Sequence, residues 1–237
     1  MYDRQGSADM TTVRSLELRR LGRMPYQEAL ELQQRLVEQR RAGAIGDLLL
    51  LVEHPPVLTL GVRGAGGRSH ILASESELAS RHIDVFETRR GGDITYHGPG
   101  QIVGYPIIDL DPDRRDVHKY VRDLEEVLIR VAGDYGIDAG RVAGLTGAWV
   151  GDEKLAAIGV RIQRWVTSHG FALNHTTDLS HFNLIVPCGI ADRGVTSLAA
   201  LGCTATRADV EARIASHFAT IFDRTVLESL SAVGTDA

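Results

Sequence analysis

Cys188 stands in "FNLIVPCGIADRGVTSL", after an apolar run and Pro187 and just before Gly189. That setting reads as a turn presenting the side chain, with the N–H groups of Gly189 and Ile190 free to donate. The competing reading is a small buried hydrophobe. A cysteine nucleophile acts as its thiolate. A free thiol has a pKa of about 8.5, so a nearby cation or base must help. His97, His169, His175 and His181 are candidate partners. Lys154, which opens "KLAAIGVRI", is another. A lysine partly desolvated at a strand end gives up its proton more readily and can serve as a base. The residues alone leave Cys–His and Cys–Lys both open. Cys203, in "LGCTAT", reads as packing. His169, His175, His181 and Cys188 match no compact zinc spacing, so no metal is expected.

A second stretch, "RGGDITYHGPGQIVGYPIIDL", runs from Arg90 to Leu110. Glycine lets backbone N–H groups approach a ligand with no Cβ in the way. Together with Arg90, Thr95, Tyr96 and His97, the glycines suggest a shaped binding wall; the alternative is an elaborate turn between two strands. The stretch lacks the G-x-x-x-x-G-K-[ST] pattern of a phosphate loop. It also does not place G-x-G-x-x-G between a strand and a helix, as a dinucleotide site requires. Gly64-Ala65-Gly66-Gly67 reads as a flexible loop.

The elements that must hold these groups follow from periodicity. Strands are expected at 13–21, 47–53, after Pro55-Pro56, at 83–88 and at 101–108. Three more are expected at 147–150, 155–162 and 166–173, with tight turns at Gly151-Asp152 and Gln163-Arg164. Helices are expected at 25–41 and, with Val117, Tyr120, Val121, Leu124, Leu128 and Val131 in one stripe, at 116–135. Ser74 with Glu77 suggests a short capped helix, and Thr206 caps a last one. Hairpins outnumber strand–helix–strand units. The expected class is therefore α+β: a mixed, mainly antiparallel sheet with helices on one side. A lead over residues 1–12 is expected to be disordered, followed by one domain over 13–237.

The bulk numbers suit this. A chain of 237 residues, 43% hydrophobic and 24% charged, can bury a sizeable core. A net charge of −5 gives no basic footprint for nucleic acid. Two cysteines do not make a disulfide framework and fit a reducing compartment. No stretch reaches the roughly 20 apolar residues of a membrane span. The cytoplasm is the default location.

Three blocks, 90–110, 154–162 with "SHGFALN" after it, and 182–198, together resemble the lipoyl(octanoyl) transferase family, within the fold group of biotin and lipoate protein ligases. The resemblance covers roughly residues 13–222. It implies an enzyme that takes an octanoyl group from octanoyl acyl carrier protein. The group would pass to a lysine of lipoyl domains, in 2-oxoacid dehydrogenase complexes or the glycine cleavage H protein. It implies an acyl-thioester on Cys188 with Lys154 as the activating partner, and no cofactor. It places the acyl site along Arg90, Gly91, Gly92, Asp93, Ile94, Thr95, Tyr96 and His97, along Ala157, Ile158 and Gly159, and along Gly170, Phe171 and Ala172. Rival readings are an ATP-dependent lipoate–protein ligase, a cysteine acyl-hydrolase, a non-catalytic acyl-binding module, and an amidotransferase between lipoyl-bearing proteins.

Overall fold

The computed structural model describes residues 14–62, 67–186 and 193–228. The expected lead at 1–12 and Cys188 itself lie outside these residues. In chain order the elements are β1 (Arg14–Arg23), α1 (Tyr26–Arg41), β2 (Asp47–Glu53), β3 (Val57–Leu60), α2 (Glu75–Ser80), β4 (Asp84–Glu87), β5 (Ile94–His97), β6 (Gln101–Ile107), α3 (Val117–Gly133), β7 (Ala148–Val150), β8 (Glu153–Gln163), β9 (Val166–Asn174), α4 (Arg207–Phe222) and β10 (Arg224–Glu228).

A seven-stranded sheet runs β10-β1-β2-β6-β9-β8-β7, and a three-stranded sheet runs β4-β3-β5. The β1 strand pairs in parallel with β10 and β2, as β3 does with β4. The other pairings are antiparallel, so the sheets are mixed and mainly antiparallel as expected.

The sequence of β2, DLLLLVE, explains the layering. Every apolar position of β2 is buried, and alternate residues point to opposite faces. Leu49 and Leu51 join the core beneath α3 and α4. Leu48, Leu50 and Val52 join a second core with Ala29, Leu36 and Val37 of α1. Helices therefore cover both faces, which corrects the expectation of helices on one side. A run apolar at every position needs cover above and below.

Local caps are legible at both later helices. The Asp116 side chain accepts from the Lys119 N–H at the start of α3. Thr206 and Asp209 form a reciprocal capping box on α4. A further correction concerns the hairpin between β8 and β9. Gln163 pairs with Val166, so the turn residues are Arg164 and Trp165, at φ 49° and 67°.

Candidate functional site

A cavity of about 740 Å³ opens beside β8 and β9. Residues 90–95, His97, Lys154, 157–159 and 170–172 line it. Three segments far apart in the chain thus share one wall, because β8 pairs with β9 and the glycine stretch lies against β8. The contact is specific: the Gly91 N–H donates to the Val160 carbonyl at 2.8 Å. It requires a bare Gly159, where a Cβ would stand 2.7 Å from the Gly91 carbonyl oxygen.

Tyr96 is the exception among the expected wall residues. Residues 94–97 were expected as loop but form β5, so Thr95 and His97 face the cavity and Tyr96 faces away. Tyr96 is 1% exposed, stacks on His181 at 4.9 Å and meets Phe182 edge-on at 5.5 Å. It is a core residue of the small sheet, and burial raises its hydroxyl to about 12.

Around His97 the wall is a hydrogen-bonded polar network. The His97 Nδ1–H donates to Gln101 Oε1 at 2.8 Å. Gln101 donates to Asn174 Oδ1 at 2.9 Å, and Asn174 donates to the Thr196 carbonyl at 2.9 Å. The Thr196 N–H in turn bonds the Lys154 carbonyl at 3.0 Å. One chain of hydrogen bonds thus links the glycine stretch to the backbone of Lys154. Behind it, His54 is clamped between the Met24 carbonyl and the Tyr105 hydroxyl, each at 2.8 Å. Burial is the main cause that lowers His54 to about 4, His97 to about 3 and His169 to about 4. All three are neutral imidazoles near pH 7. Arg90 is itself buried and committed, donating to the Thr59 carbonyl and hydroxyl and to the Gly91 carbonyl.

Lys154 is half-buried at the start of β8, and its Nζ lies 4.7 Å from the Trp149 ring centroid. That cation–π contact, worth about 0.5–2 kcal/mol, holds the head group in place. The Lys154 N–H donates to the Gly194 carbonyl at 2.9 Å. On the other side of the Cys188 segment, the Val186 N–H donates to the His70 carbonyl at 2.8 Å. The His70 ring in turn meets Asp93 of the cavity wall at 2.7 Å. Of the histidines weighed as partners for the cysteine, His97 and His169 line the cavity. His175 bonds the Ala205 carbonyl and His181 stacks on Tyr96, so neither lines it. Among the described residues, no three His, Cys, Asp or Glu side chains gather as a metal site.

Sequence reasoning missed Tyr26, Tyr105, Gln101 and Asn174, all of which line the cavity, and His54 behind them. The available signal was a polar ring beside a fully apolar strand, as with His54 after β2 and Tyr105 within β6.

Comparison with known proteins agrees with this arrangement. A family model described as the lipoyl protein ligase A/B catalytic domain matches residues 25–219. An octanoyltransferase of Solibacter usitatus is 54% identical over 219 residues, covering 92% of this chain and 98% of that protein. One of Chloroflexus aggregans is 50% identical over 223 residues, covering 92% and 100%. Among solved structures, a bipartite lipoate protein ligase from Thermoplasma acidophilum superposes with a TM-score of 0.71 at 16% identity, covering 91% of this chain and 86% of that one. Lipoate-protein ligase A bound with ATP gives 0.70 at 14%, covering 91% and 88%. At such identity these two likenesses speak to the fold, which is that of the lipoate protein ligases. The family match and the half-identical relatives go further: the chain belongs to the octanoyltransferases of the lipoyl protein ligase A/B catalytic-domain family.

Proposed function

We propose that the protein moves an octanoyl group from octanoyl acyl carrier protein to a lysine of lipoyl domains, through a thioester on Cys188. The observation that carries the reading is the position of Lys154. It lines the cavity, and its backbone is bonded to Gly194 and Thr196, in the stretch that follows Cys188 in the chain. Cys188 follows Val186 by two positions in the sequence, and the Val186 N–H donates to the His70 carbonyl.

In the first half-reaction the Lys154 amine takes the Cys188 thiol proton. The thiolate attacks the donor carbonyl, and the carrier sulfur leaves with the proton Lys154 holds. The exchange of one thioester for another is nearly balanced, so no nucleotide is needed. In the second half-reaction the acceptor lysine attacks the new thioester, its proton passes to Lys154, and Cys188 leaves as the thiol. The glycine stretch and residues 157–159 and 170–172 hold the acyl chain. Each buried CH₂ contributes about 0.8 kcal/mol, which suits a preference for chain length without a sharp limit. The neutral imidazoles fit this role, since they hydrogen-bond the wall together while adding no charge beside an aliphatic chain.

The test is octanoyl transfer from octanoyl acyl carrier protein to an apo lipoyl domain without ATP. Lys154→Met is expected to lower kcat by about 10²–10⁴. Transfer that depends on ATP, or a Lys154→Met variant of undiminished rate, would contradict the reading.

A further inference from the structure

The cavity has a closed end, and the course of β8 and β9 defines it. Along β8 its lining runs from Lys154 to Val160, and along β9 from Asn174 back to His169. Val160 and His169 are paired across the ladder, so both walls stop at one rung. A bulge sets the faces. The β7 strand pairs with Lys154 and Ala156 and skips Leu155, and both Leu155 and Ala156 enter the core beneath α3. Lys154, Ala157 and Gly159 therefore share the opposite face. Ala157 is paired on that face with Ala172, which packs in the core beneath α1. The next rung but one pairs Gly159 with Gly170, and there Arg90 and Gly91 close over Gly159. The result is a trough with small side chains along it.

Alternation along β9 would send the His169 ring to the α3 side, with Phe171 and Leu173. It does not go there. His169 is left-handed, at φ 54°, and its ring meets Tyr105, a member of the core on the α1 side, at 6.4 Å. Gln33 of α1 accepts the His169 N–H at 2.8 Å and holds that backbone. The ring is thereby turned across the end of the trough, where Tyr26, Arg90 and Tyr105 are buried as well. The walls leading up to this end carry alanine and glycine, and the end itself carries an imidazole.

We propose that His169 is the stop that sets the length of the acyl chain. A chain with its carbonyl at the Lys154 end runs between Ala157 and Ala172, and its last carbons meet the imidazole. The dimensions agree. Ala157 to Val160 is three residues of strand, roughly 10 Å. An extended eight-carbon chain is roughly 9 Å long on ordinary carbon–carbon bond lengths. Each carbon added up to that length buries more apolar surface and is favoured. A carbon beyond it meets a closed wall, and the rate falls about tenfold. The proposal rests on the acyl-transfer reading above and adds the residue that fixes the substrate's length.

The test offers the full-length protein equal mixtures of hexanoyl, octanoyl and decanoyl acyl carrier protein, and intact mass reads which acyl group is taken. Each variant thus reports a ratio, which a partly unfolded sample does not distort. Glycine accepts the left-handed backbone, so His169→Gly removes the ring alone. It should raise the decanoyl-to-octanoyl ratio about tenfold, and His169→Ala should act in the same direction. Ala172→Val narrows the trough before its end and should shift the preference toward hexanoyl. Binding of free octanoate and decanoate, read as a rise in melting temperature, makes the same comparison without turnover. An unchanged length preference in both His169 variants would overturn the proposal. So would a gain of decanoyl from Val121→Ala, on the α3 side of the cavity, with none from His169→Gly. A wild type that takes up no acyl group, while the fatty acids still bind in the expected order, supports the stop and strikes the transfer reading instead.

Discussion

Gln33 on α1 holds His169 on β9 across 136 residues of sequence, its Oε1 accepting the His169 backbone N–H at 2.8 Å. His169 is left-handed, at φ 54°, and both residues are buried. The bond pins a cavity-lining ring whose backbone would otherwise relax toward an ordinary strand conformation. Gln33→Ala leaves that N–H buried without a partner, at a cost of about 1–3 kcal/mol. For a chain of this size that lowers Tm by about 2–4 °C per kcal/mol. Thermal and urea unfolding check it, and unaltered stability would contradict the assignment.

The buried imidazoles predict a specific acid sensitivity. His54, His97 and His169 lie at about 4, 3 and 4 in the folded protein, against about 6.5 unfolded. The unfolded chain therefore binds more protons between these values. Stability is full above about pH 6.5 and falls as pH drops toward 4, by up to ~1.4 kcal/mol per pH unit for each histidine. Urea unfolding from pH 7 to 4.5 should show this slope, and His169→Asn should reduce it by one proton. A flat profile over that range would mean the rings are not held neutral.

Gly159→Ala tests the packing of the glycine stretch on β8. Its Cβ would press on the Gly91 carbonyl at 2.7 Å and on Arg90 Cδ at 3.2 Å. Backbone cannot yield as a flexible side chain does, so residues 90–92 must lift from β8. The expected results are a stability loss of about 1–3 kcal/mol and at least a tenfold fall in acyl transfer. Full activity in a variant that still closes the Gly91–Val160 bond would contradict the account of the wall.

The β8–β9 turn offers a gain. Arg164 is exposed and sits at φ 49° in a two-residue turn, a conformation that favours Asn. Arg164→Asn should stabilise the protein by about 0.5 kcal/mol, read as a higher urea midpoint with unchanged slope. A lower midpoint would contradict the strain argument.

Much of this architecture was legible in the sequence where the signal is local. The run DLLLLVE marks β2, the apolar stripe from Tyr120 to Val131 marks α3, and Asp116 and Thr206 mark helix starts. The signal failed where partners are distant. The β10 strand is too short to announce itself and is strand only because β1 pairs with it in parallel. Between its glycines, β5 reads as loop until β3 supplies its ladder. That one missed strand also misplaced Tyr96, since alternation along β5 sends its ring away from the cavity. The polar wall of Tyr26, His97, Tyr105 and His169 could not be assembled in advance, because the sheet order, and not any spacing, brings these residues together.

The central claim is that Cys188 carries the acyl group. Intact mass after mixing the protein with octanoyl acyl carrier protein, without ATP, tests it most directly, with Cys188→Ser as the comparison. An octanoyl adduct on the wild type that disappears when an apo lipoyl domain is added, and no thioester on Cys188→Ser, is the predicted result. An unmodified wild type, or an adduct of equal yield on Cys188→Ser, would contradict it.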